Sequence, residues 1–172
     1  MEKKQDKPYP KIQVEKKNLY YAEILLDDYV GIKSEDTSIM QYIYQSFDMY
    51  EILPEFSEIL SKIAMVEMRH LALLGKTIKA LGLDPKFKYI NKIKNRYECW
   101  NSSFVDYTTN LQDMLISNIE LEKAAIKSYK KHIEIIDDKY IKELLLRIIE
   151  DEYIHIDLFN KMLSTIREKH ML

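Results

Sequence analysis

Residues 141–166 read IKELLLRIIEDEYIHIDLFNKMLSTI, and this stretch decides the fold. Its apolar residues recur at alternating steps of three and four, which is the spacing of one face of an α-helix. Two positions on that face are polar instead, Glu152 and His155, and they lie three residues apart. The pattern therefore predicts a long helix that buries a carboxylate and an imidazole side by side. The predicted buried face consists of Ile141, Leu145, Ile148, Glu152, His155, Phe159, Met162 and Ile166.

The same spacing of a glutamate and a histidine occurs earlier in the chain, at Glu67 and His70. With 16 Glu and 4 His in 172 residues, roughly 0.4 Glu-x-x-His matches are expected by chance. Two matches, each on the apolar face of a predicted helix, indicate two facing helices that share a metal site. The second predicted face consists of Ile59, Ile63, Glu67, His70, Leu74, Ile78 and Leu81.

Each of the remaining two predicted helices also carries one glutamate on its apolar face. On the third helix this is Glu122, among Leu111, Leu115, Asn118, Ala125 or Ile126, Tyr129 and Ile133. On the first helix it is Glu35, among Leu25, Ile32, Ile39, Tyr42 or Ile43, and Phe47. Four buried carboxylates without partners would each cost several kcal/mol. Two divalent cations would neutralise them, with two neutral imidazoles completing the ligands, so the pattern predicts a dinuclear metal site.

The connections between the predicted helices define an all-α bundle. We expect a flexible arm over residues 1–17, followed by one helical domain over residues 18–172. Its four helices are predicted at about 18–50, 55–81, 106–136 and 139–166, with Pro54 at one start and Gly82 at one end. Short links make two antiparallel hairpins, and roughly twenty residues between the hairpins allow a long crossover.

Composition excludes several classes of protein. A net charge of -2 without a long basic block argues against nucleic-acid binding. The single cysteine, Cys99, excludes a disulfide framework and any metal site built only from cysteines. No apolar stretch approaches the length that spans a membrane, and the N-terminal residues lack a signal-like apolar core, so we expect a cytoplasmic protein.

Five segments together resemble the ferritin-like superfamily, in the branch that holds rubrerythrins and manganese catalases, and the resemblance covers about residues 20 to 166. It implies a ferritin-like four-helix bundle made of two hairpins with a long crossover. It also implies metal ligation by Glu35, Glu67, His70, Glu122 and His155. Glu152 is then either a further ligand, as in di-iron members, or a catalytic acid/base group, as in manganese catalases. The segments are residues 31–35, 41–42, 63–71, 122–126 and 151–155.

The resemblance implies two iron or manganese ions and a peroxide-dependent oxidoreductase, with hydrogen peroxide or dioxygen as the small-molecule substrate. In this interpretation Glu67 and Glu122 bridge the ions, and Glu35 and Glu152 fill outer positions. Full rubrerythrins carry a rubredoxin domain and a further carboxylate three residues from the third-helix ligand. Here Ile119 and Ala125 flank Glu122. This departure favours catalase chemistry over peroxidase chemistry, which would need an external electron donor.

Two other functional classes stay open. One is iron or manganese storage in a ferritin-like protein, and the other is a structural component of a protein shell, without turnover. A homodimer or a larger homo-oligomer is expected in each case.

Several neighbouring residues receive weaker predictions. Tyr42 either donates a hydrogen bond to a metal-bound carboxylate or only packs in the core, and Asn118 is similarly ambiguous. The acidic side chains beside the proposed ligands are expected to face solvent, and the two other histidines lack the spacing of a ligand. These residues are Glu120, Glu150, Asp151, His132 and His170.

Overall fold

The computed structural model describes residues 7–91 and 93–168. These residues form five α-helices, and a two-stranded β-hairpin and one 3-10 turn lie in the crossover. The helices are α1 (Leu19–Val30), α2 (Glu35–Met49), α3 (Pro54–Ala80), α4 (Leu111–Ile135) and α5 (Lys139–Glu168). The strands are β1 (Lys88–Asn91) and β2 (Arg96–Cys99), and the 3-10 turn is Ser102–Phe104.

Two hairpins form the bundle, as predicted. Helix α2 packs on α3 after a link of four residues (50–53), and α4 packs on α5 after a link of three residues (136–138). Pro54 begins α3, where its missing N–H costs no helical hydrogen bond. Asp138 accepts hydrogen bonds from the backbone N–H groups of Tyr140 and Ile141 at the start of α5. The predicted fold class is therefore confirmed.

The first predicted helix is wrong in one respect, because it is broken at residues 31–34 into α1 and α2. Gly31 has an extended backbone, and a Cβ at this position would lie 2.3 Å from the carbonyl oxygen of Asp27. Ser34 then caps α2 by accepting a hydrogen bond from the N–H of Thr37. Ile32 lies in the break and is exposed, although the sequence pattern predicted it in the core. Phe47 is also exposed, because the buried face of α2 runs through Glu35, Ile39, Tyr42 and Met49.

The crossover is longer than the roughly twenty residues predicted, because α4 begins at Leu111 with Asn110 as its N-cap and not at Asp106. Strands β1 and β2 pair antiparallel, with Lys88 opposite Cys99. The Trp100 indole N–H donates to Thr37 Oγ1 at 2.9 Å, which attaches the crossover to the start of α2. The crossover therefore supports the region where Glu35 begins its helix.

Two apolar clusters lie at opposite ends of the bundle. One contains Leu25, Leu74, Ile78, Ile141, Leu145 and Ile148, and the other contains Tyr42, Leu60, Ile63, Met114, Phe159 and Met162. Along α3 and along α5 the Glu-x-x-His residues lie between these clusters. The polar layer at mid-length is therefore enclosed by apolar side chains above and below.

Residues 7–17 of the predicted arm lie against the bundle. The N–H of Glu15 donates to Asp138 Oδ2, and Ile12 and Val14 pack against one apolar cluster. The division into an arm and a domain stays a prediction, and residues 1–6 and His170 lie outside the described residues. In the described part of the chain, no helix combines the length and the apolar character that crossing a membrane requires.

Candidate metal centre

The six predicted ligand residues converge at the middle of the bundle. They form two groups whose possible ligand atoms lie within 4.8 Å of one another, and all six side chains are buried. Glu67 and Glu152 belong to both groups. The first group is Glu35, Glu67, His70 and Glu152, and the second is Glu67, Glu122, Glu152 and His155.

In the first group, the imidazole of His70 presents Nδ1 to three carboxylates. Nδ1 lies 2.8 Å from Glu67 Oε2, 3.3 Å from Glu152 Oε1 and 3.5 Å from Glu35 Oε2. The i,i+3 spacing on α3 sets the first contact, whereas the other two come from α5 and α2. Nδ1 is therefore the atom that would bind a metal ion here.

The second group repeats this arrangement around His155. Its Nδ1 lies 2.9 Å from Glu67 Oε1, 2.9 Å from Glu152 Oε2 and 3.5 Å from Glu122 Oε1. Glu67 and Glu152 each direct one oxygen to each histidine. In this geometry Glu152 is shared by both groups and Glu122 belongs to one, whereas the sequence analysis expected Glu122 as the second bridge.

Several of these buried atoms have no hydrogen-bond partner among the described residues. They are Glu67 Oε1, both carboxylate oxygens of Glu152 and Nδ1 of His155. The short distances to His155 thus lack hydrogen-bond geometry, although burying such groups unpaired is costly. Oxygen and nitrogen donors around common centres suit iron or manganese. The residues present therefore fit a pair of divalent ions.

The pKa values of three of these glutamates are shifted, because the side chains are buried and other charged groups lie close to them. Burial, and then the charges of Glu67 and Glu152, raise the pKa of Glu122 to about 8. Burial and the same two neighbours raise the pKa of Glu35 well above its usual value. Burial disfavours the charged form of Glu67, but His155 and His70 outweigh this effect and hold its pKa well below the usual range.

The pKa values of the two histidines are raised, although burial alone would lower the pKa of a cationic group. Burial lowers the pKa of His70, but the charges of Glu152 and Glu35 outweigh burial and raise it well above the usual value. For His155, Glu67 is the main charge that outweighs burial and raises the pKa. Without metal, protons on the histidines therefore take over part of the neutralisation that two cations would supply.

Two tyrosines donate to the outer carboxylates. The hydroxyl of Tyr42 donates to Glu122 Oε1 at 2.6 Å, a hydrogen bond that the first of the two interpretations of this residue expects. The hydroxyl of Tyr129 donates to Glu35 Oε1. The sequence analysis placed Tyr129 on the buried face but assigned it no role, although its position seven residues after Glu122 puts both on one face of α4.

Asp151 was predicted to face solvent, but it contacts one of the predicted ligands instead. Its side chain is buried and its Oδ2 lies 3.2 Å from His70 Nε2, the ring nitrogen that points away from the carboxylate cluster. Arg147, one helical turn earlier, pairs with the same oxygen at 2.7 Å. The i,i+4 pairing of Arg147 and Asp151 was the available sequence signal. Glu120 is exposed as expected, and Glu150 is partly exposed.

Asn118 and His132 lie in separate polar clusters. Asn118 accepts from Gln41 Nε2 at 2.8 Å and donates to Gln45 Oε1 at 2.7 Å, which ties α4 to α2. His132 Nδ1 lies 2.6 Å from Asp28 Oδ2, so this buried histidine pairs with α1 and not with the carboxylate cluster. The expectation that His132 is not a ligand agrees with this position.

A narrow crevice lies between the cluster and the break between α1 and α2, and it is too small to hold a water molecule. Three of its lining residues are the carboxylates of Glu35, Glu122 and Glu152, and Lys33, Ser34 and Ser38 line its sides. Ala125 also lines it, and the three carboxylates are buried. Neither histidine lines this crevice, so the carboxylates and not the imidazoles face it.

The family model that describes rubrerythrin matches residues 29–163. The chain belongs to the rubrerythrin family. Among curated proteins, this rubrerythrin-family chain is similar to a probable manganese catalase from Clostridium acetobutylicum. The two are 22% identical over 174 residues, which covers 92% of this chain and 76% of the relative.

Solved structures place this member of the rubrerythrin family among ferritin-like bundles. A manganese catalase from Anabaena is similar with a TM-score of 0.83 and 23% identity, over 96% of this chain and 81% of that chain. A bacterioferritin from Desulfovibrio desulfuricans, solved with a diiron site, is similar with a TM-score of 0.71 and 22% identity. That match covers 87% of this chain and 81% of the bacterioferritin. The predicted resemblance to this superfamily is confirmed.

Proposed function

We propose that this rubrerythrin-family chain is a dinuclear manganese or iron oxidoreductase that acts on hydrogen peroxide. The observation that carries the proposal is the pair of buried groups that share Glu67 and Glu152. Because each shared carboxylate faces both histidines, the geometry favours two ions side by side over one ion or two distant ones. The similarity to proteins named as manganese catalases supports the same chemistry.

In the proposed site each ion has one histidine and one outer carboxylate of its own. His70 and Glu35 would hold one ion, and His155 and Glu122 would hold the other, with Glu67 and Glu152 shared. Four glutamates and two divalent cations give a neutral site, which removes the cost of burying the carboxylates. Bound manganese or iron would supply two-electron redox chemistry.

The protein's own groups would guide substrate and protons. The crevice would have to widen to admit peroxide, which would then meet Glu35, Glu122 and Glu152 beside Lys33 and Ser34. Glu152 has two alternative roles: it is a ligand where the ions share it, and where it does not bind them it would instead take up and return the peroxide proton as the catalytic acid/base group. Tyr42 holds the orientation of Glu122 through its 2.6 Å hydrogen bond. The apolar clusters above and below would keep bulk water away from the reacting centre.

Catalase turnover is the reaction we favour within this class. Two molecules of hydrogen peroxide give two of water and one of dioxygen, so peroxide supplies both the oxidant and the reductant. Ala125 stands three residues after Glu122 and lines the crevice, which leaves no additional carboxylate from this position. A peroxidase would instead need an external electron donor.

The test combines metal analysis with a direct assay. Protein isolated from its native source is analysed for manganese and iron, and dioxygen release from hydrogen peroxide is measured with an electrode. We expect two ions per chain and dioxygen release that is lost in Glu67→Gln and kept in Glu120→Gln, a matched change at an exposed acid. Two bound ions without dioxygen release would reject the catalase proposal. Peroxide consumption only with an added reductant would indicate a peroxidase.

The similarity to a bacterioferritin favours metal storage as a second candidate. Storage predicts a large, closed homo-oligomer on size-exclusion chromatography, with many more than two metal ions per chain after loading. A purely structural shell component would assemble equally well as Glu67→Ala or His155→Ala. Loss of metal-dependent thermal stabilisation in those variants would favour the two metal-based functions.

A further inference from the structure

The segment Lys7–Val14 carries a tyrosine to the far side of one predicted metal ligand. Tyr9 lies outside the residues matched by the rubrerythrin model, which begins at residue 29. Its hydroxyl lies 3.2 Å from His70 Nε2 and donates to Asp151 Oδ2 at 2.5 Å. The ring of Tyr9 packs edge-on to the imidazole of His70, with centroids 5.9 Å apart. This segment therefore reaches the metal centre from outside the four helices.

Two arginines and the backbone hold Tyr9 in place. The Arg147 guanidinium lies 4.4 Å from the centre of the Tyr9 ring, and that of Arg69 lies 5.3 Å from it. Arg147 Nε also donates to the carbonyl oxygen of Lys7 at 3.0 Å. Cation–π contacts of partly buried rings stabilise such an arrangement. The position of the hydroxyl is thus set by several independent contacts.

The consequence for His70 follows from donor and acceptor chemistry. A carboxylate accepts hydrogen bonds and does not donate them, so Asp151 favours the tautomer of His70 with its proton on Nε2. The lone pair is then on Nδ1, which faces Glu35, Glu67 and Glu152. Tyr9 and Arg147 fix the carboxylate that holds this proton. Partners of this kind orient a ligand and raise its basicity.

The other histidine lacks this support in the described part of the chain. There, all polar contacts of His155 to charged side chains run through Nδ1, toward Glu67, Glu122 and Glu152. The two histidines make similar contacts through Nδ1, toward the carboxylates. They differ at Nε2, where His70 contacts Asp151 and Tyr9. A difference in affinity between the two ions would therefore be expected from these contacts of His70.

We propose that Tyr9 is a positioning residue that, through Asp151, sets the tautomer of His70 and makes the His70 half the tighter of two unequal metal sites. The inference rests on the metal binding in the proposed function but not on peroxide turnover. It assigns to residues 7–14 a part in the metal centre. The probe that tests it is Mn²⁺ alone, added to the metal-free full-length protein.

The experiment is isothermal titration with Mn²⁺ on the wild type, Tyr9→Phe and Asp151→Asn, with Tyr50→Phe as control. Tyr9→Phe keeps the ring between the two guanidiniums and removes only the hydroxyl, and Tyr50 is an exposed tyrosine far from these contacts. We expect two unequal sites in the wild type. Tyr9→Phe should weaken the tighter one about 10-fold and Asp151→Asn about 10- to 100-fold. Tyr50→Phe should bind like the wild type.

Paramagnetic resonance of the same samples separates positioning from simple loss of stability. At a free Mn²⁺ concentration above the dissociation constant of the weaker site, Tyr9→Phe should show more singly occupied centres, seen as the spectrum of an isolated ion, while the melting temperature of its metal-free form stays near that of the wild type. Equal weakening of both sites, or no change in either, would overturn the proposal. Unequal Mn²⁺ binding without dioxygen release would reject the proposed catalase and leave this inference standing.

Discussion

The imidazole rings of His70 and His155 lie with their centroids 6.2 Å apart and their planes tilted by 35°. They come from different hairpins, yet both present Nδ1 to Glu67 and Glu152. A spacing of three residues, used once on α3 and once on α5, thus produces two ligand groups with a common centre. The consequences can be tested at single residues.

Substitutions at shared and unshared carboxylates should differ in metal stoichiometry. Glu67→Gln removes a ligand from both groups, so we expect Mn²⁺ binding to fall from two ions to none that survives gel filtration. Glu35→Gln removes a ligand from one group only and should leave about one ion per chain. Elemental analysis after gel filtration measures both, with Glu120→Gln as the exposed control. Retention of two ions by Glu67→Gln would exclude it as a bridge.

Loss of the Tyr42 hydroxyl should reduce turnover more than metal content. Tyr42→Phe leaves Glu122 Oε1 without its 2.6 Å donor and keeps the ring against Phe159. We expect kcat for peroxide to fall about tenfold, because the carboxylate loses its fixed orientation. Tyr44→Phe is the control, because Tyr44 lies on the same helix and packs edge-on against Tyr107. An unchanged kcat in Tyr42→Phe would show that the hydroxyl has no part in turnover and that Tyr42 only packs in the core.

Substitution of two phenylalanines tests which side chains the bundle buries. Phe159 is fully buried against Tyr42, so Phe159→Ala should lower the free energy of unfolding by about 3–5 kcal/mol. Phe47 is 73% exposed, and Phe47→Ala should change it by less than about 0.5 kcal/mol. Urea denaturation of the metal-free proteins measures both. A large loss in Phe47→Ala would show that this side chain is buried, as the sequence pattern predicted.

The metal-free protein should lose stability as the pH rises. Between the ordinary pKa of Glu122, 4.5, and its raised value of about 8, the folded state holds a proton that the unfolded state has released. Folding stability therefore falls as the pH increases through this window. The raised pKa values of His70 and His155 act in the same direction above about 6.5.

Thermal denaturation across this pH range measures the effect, and Glu122→Gln should show a shallower decline. Affinity for Mn²⁺ should change in the opposite sense, rising with pH, because the ligands release protons when a metal binds. A melting temperature of the metal-free protein that increases from pH about 5 to about 8 would contradict the described charge arrangement.

The sequence alone determined the helical architecture and the six residues that converge. Helical periodicity is a local property, so the faces of α3 and α5 and the glutamates and histidines on them could be read from the spacing. Pro54 and Gly82 marked helix limits for equally local reasons. The charge argument then required that the four buried glutamates meet, and in the structure they do.

Only the tertiary structure decided how these residues are shared and supported. The break at Gly31 depends on a backbone conformation that periodicity does not record, and it leaves Ile32 at the surface. Whether Glu122 or Glu152 is shared depends on how the two hairpins pack together. Asp151 is buried because Tyr9, 142 residues earlier in the chain, lies over it. Contacts between residues so distant in sequence leave no local pattern, so they emerge only when the chain is folded.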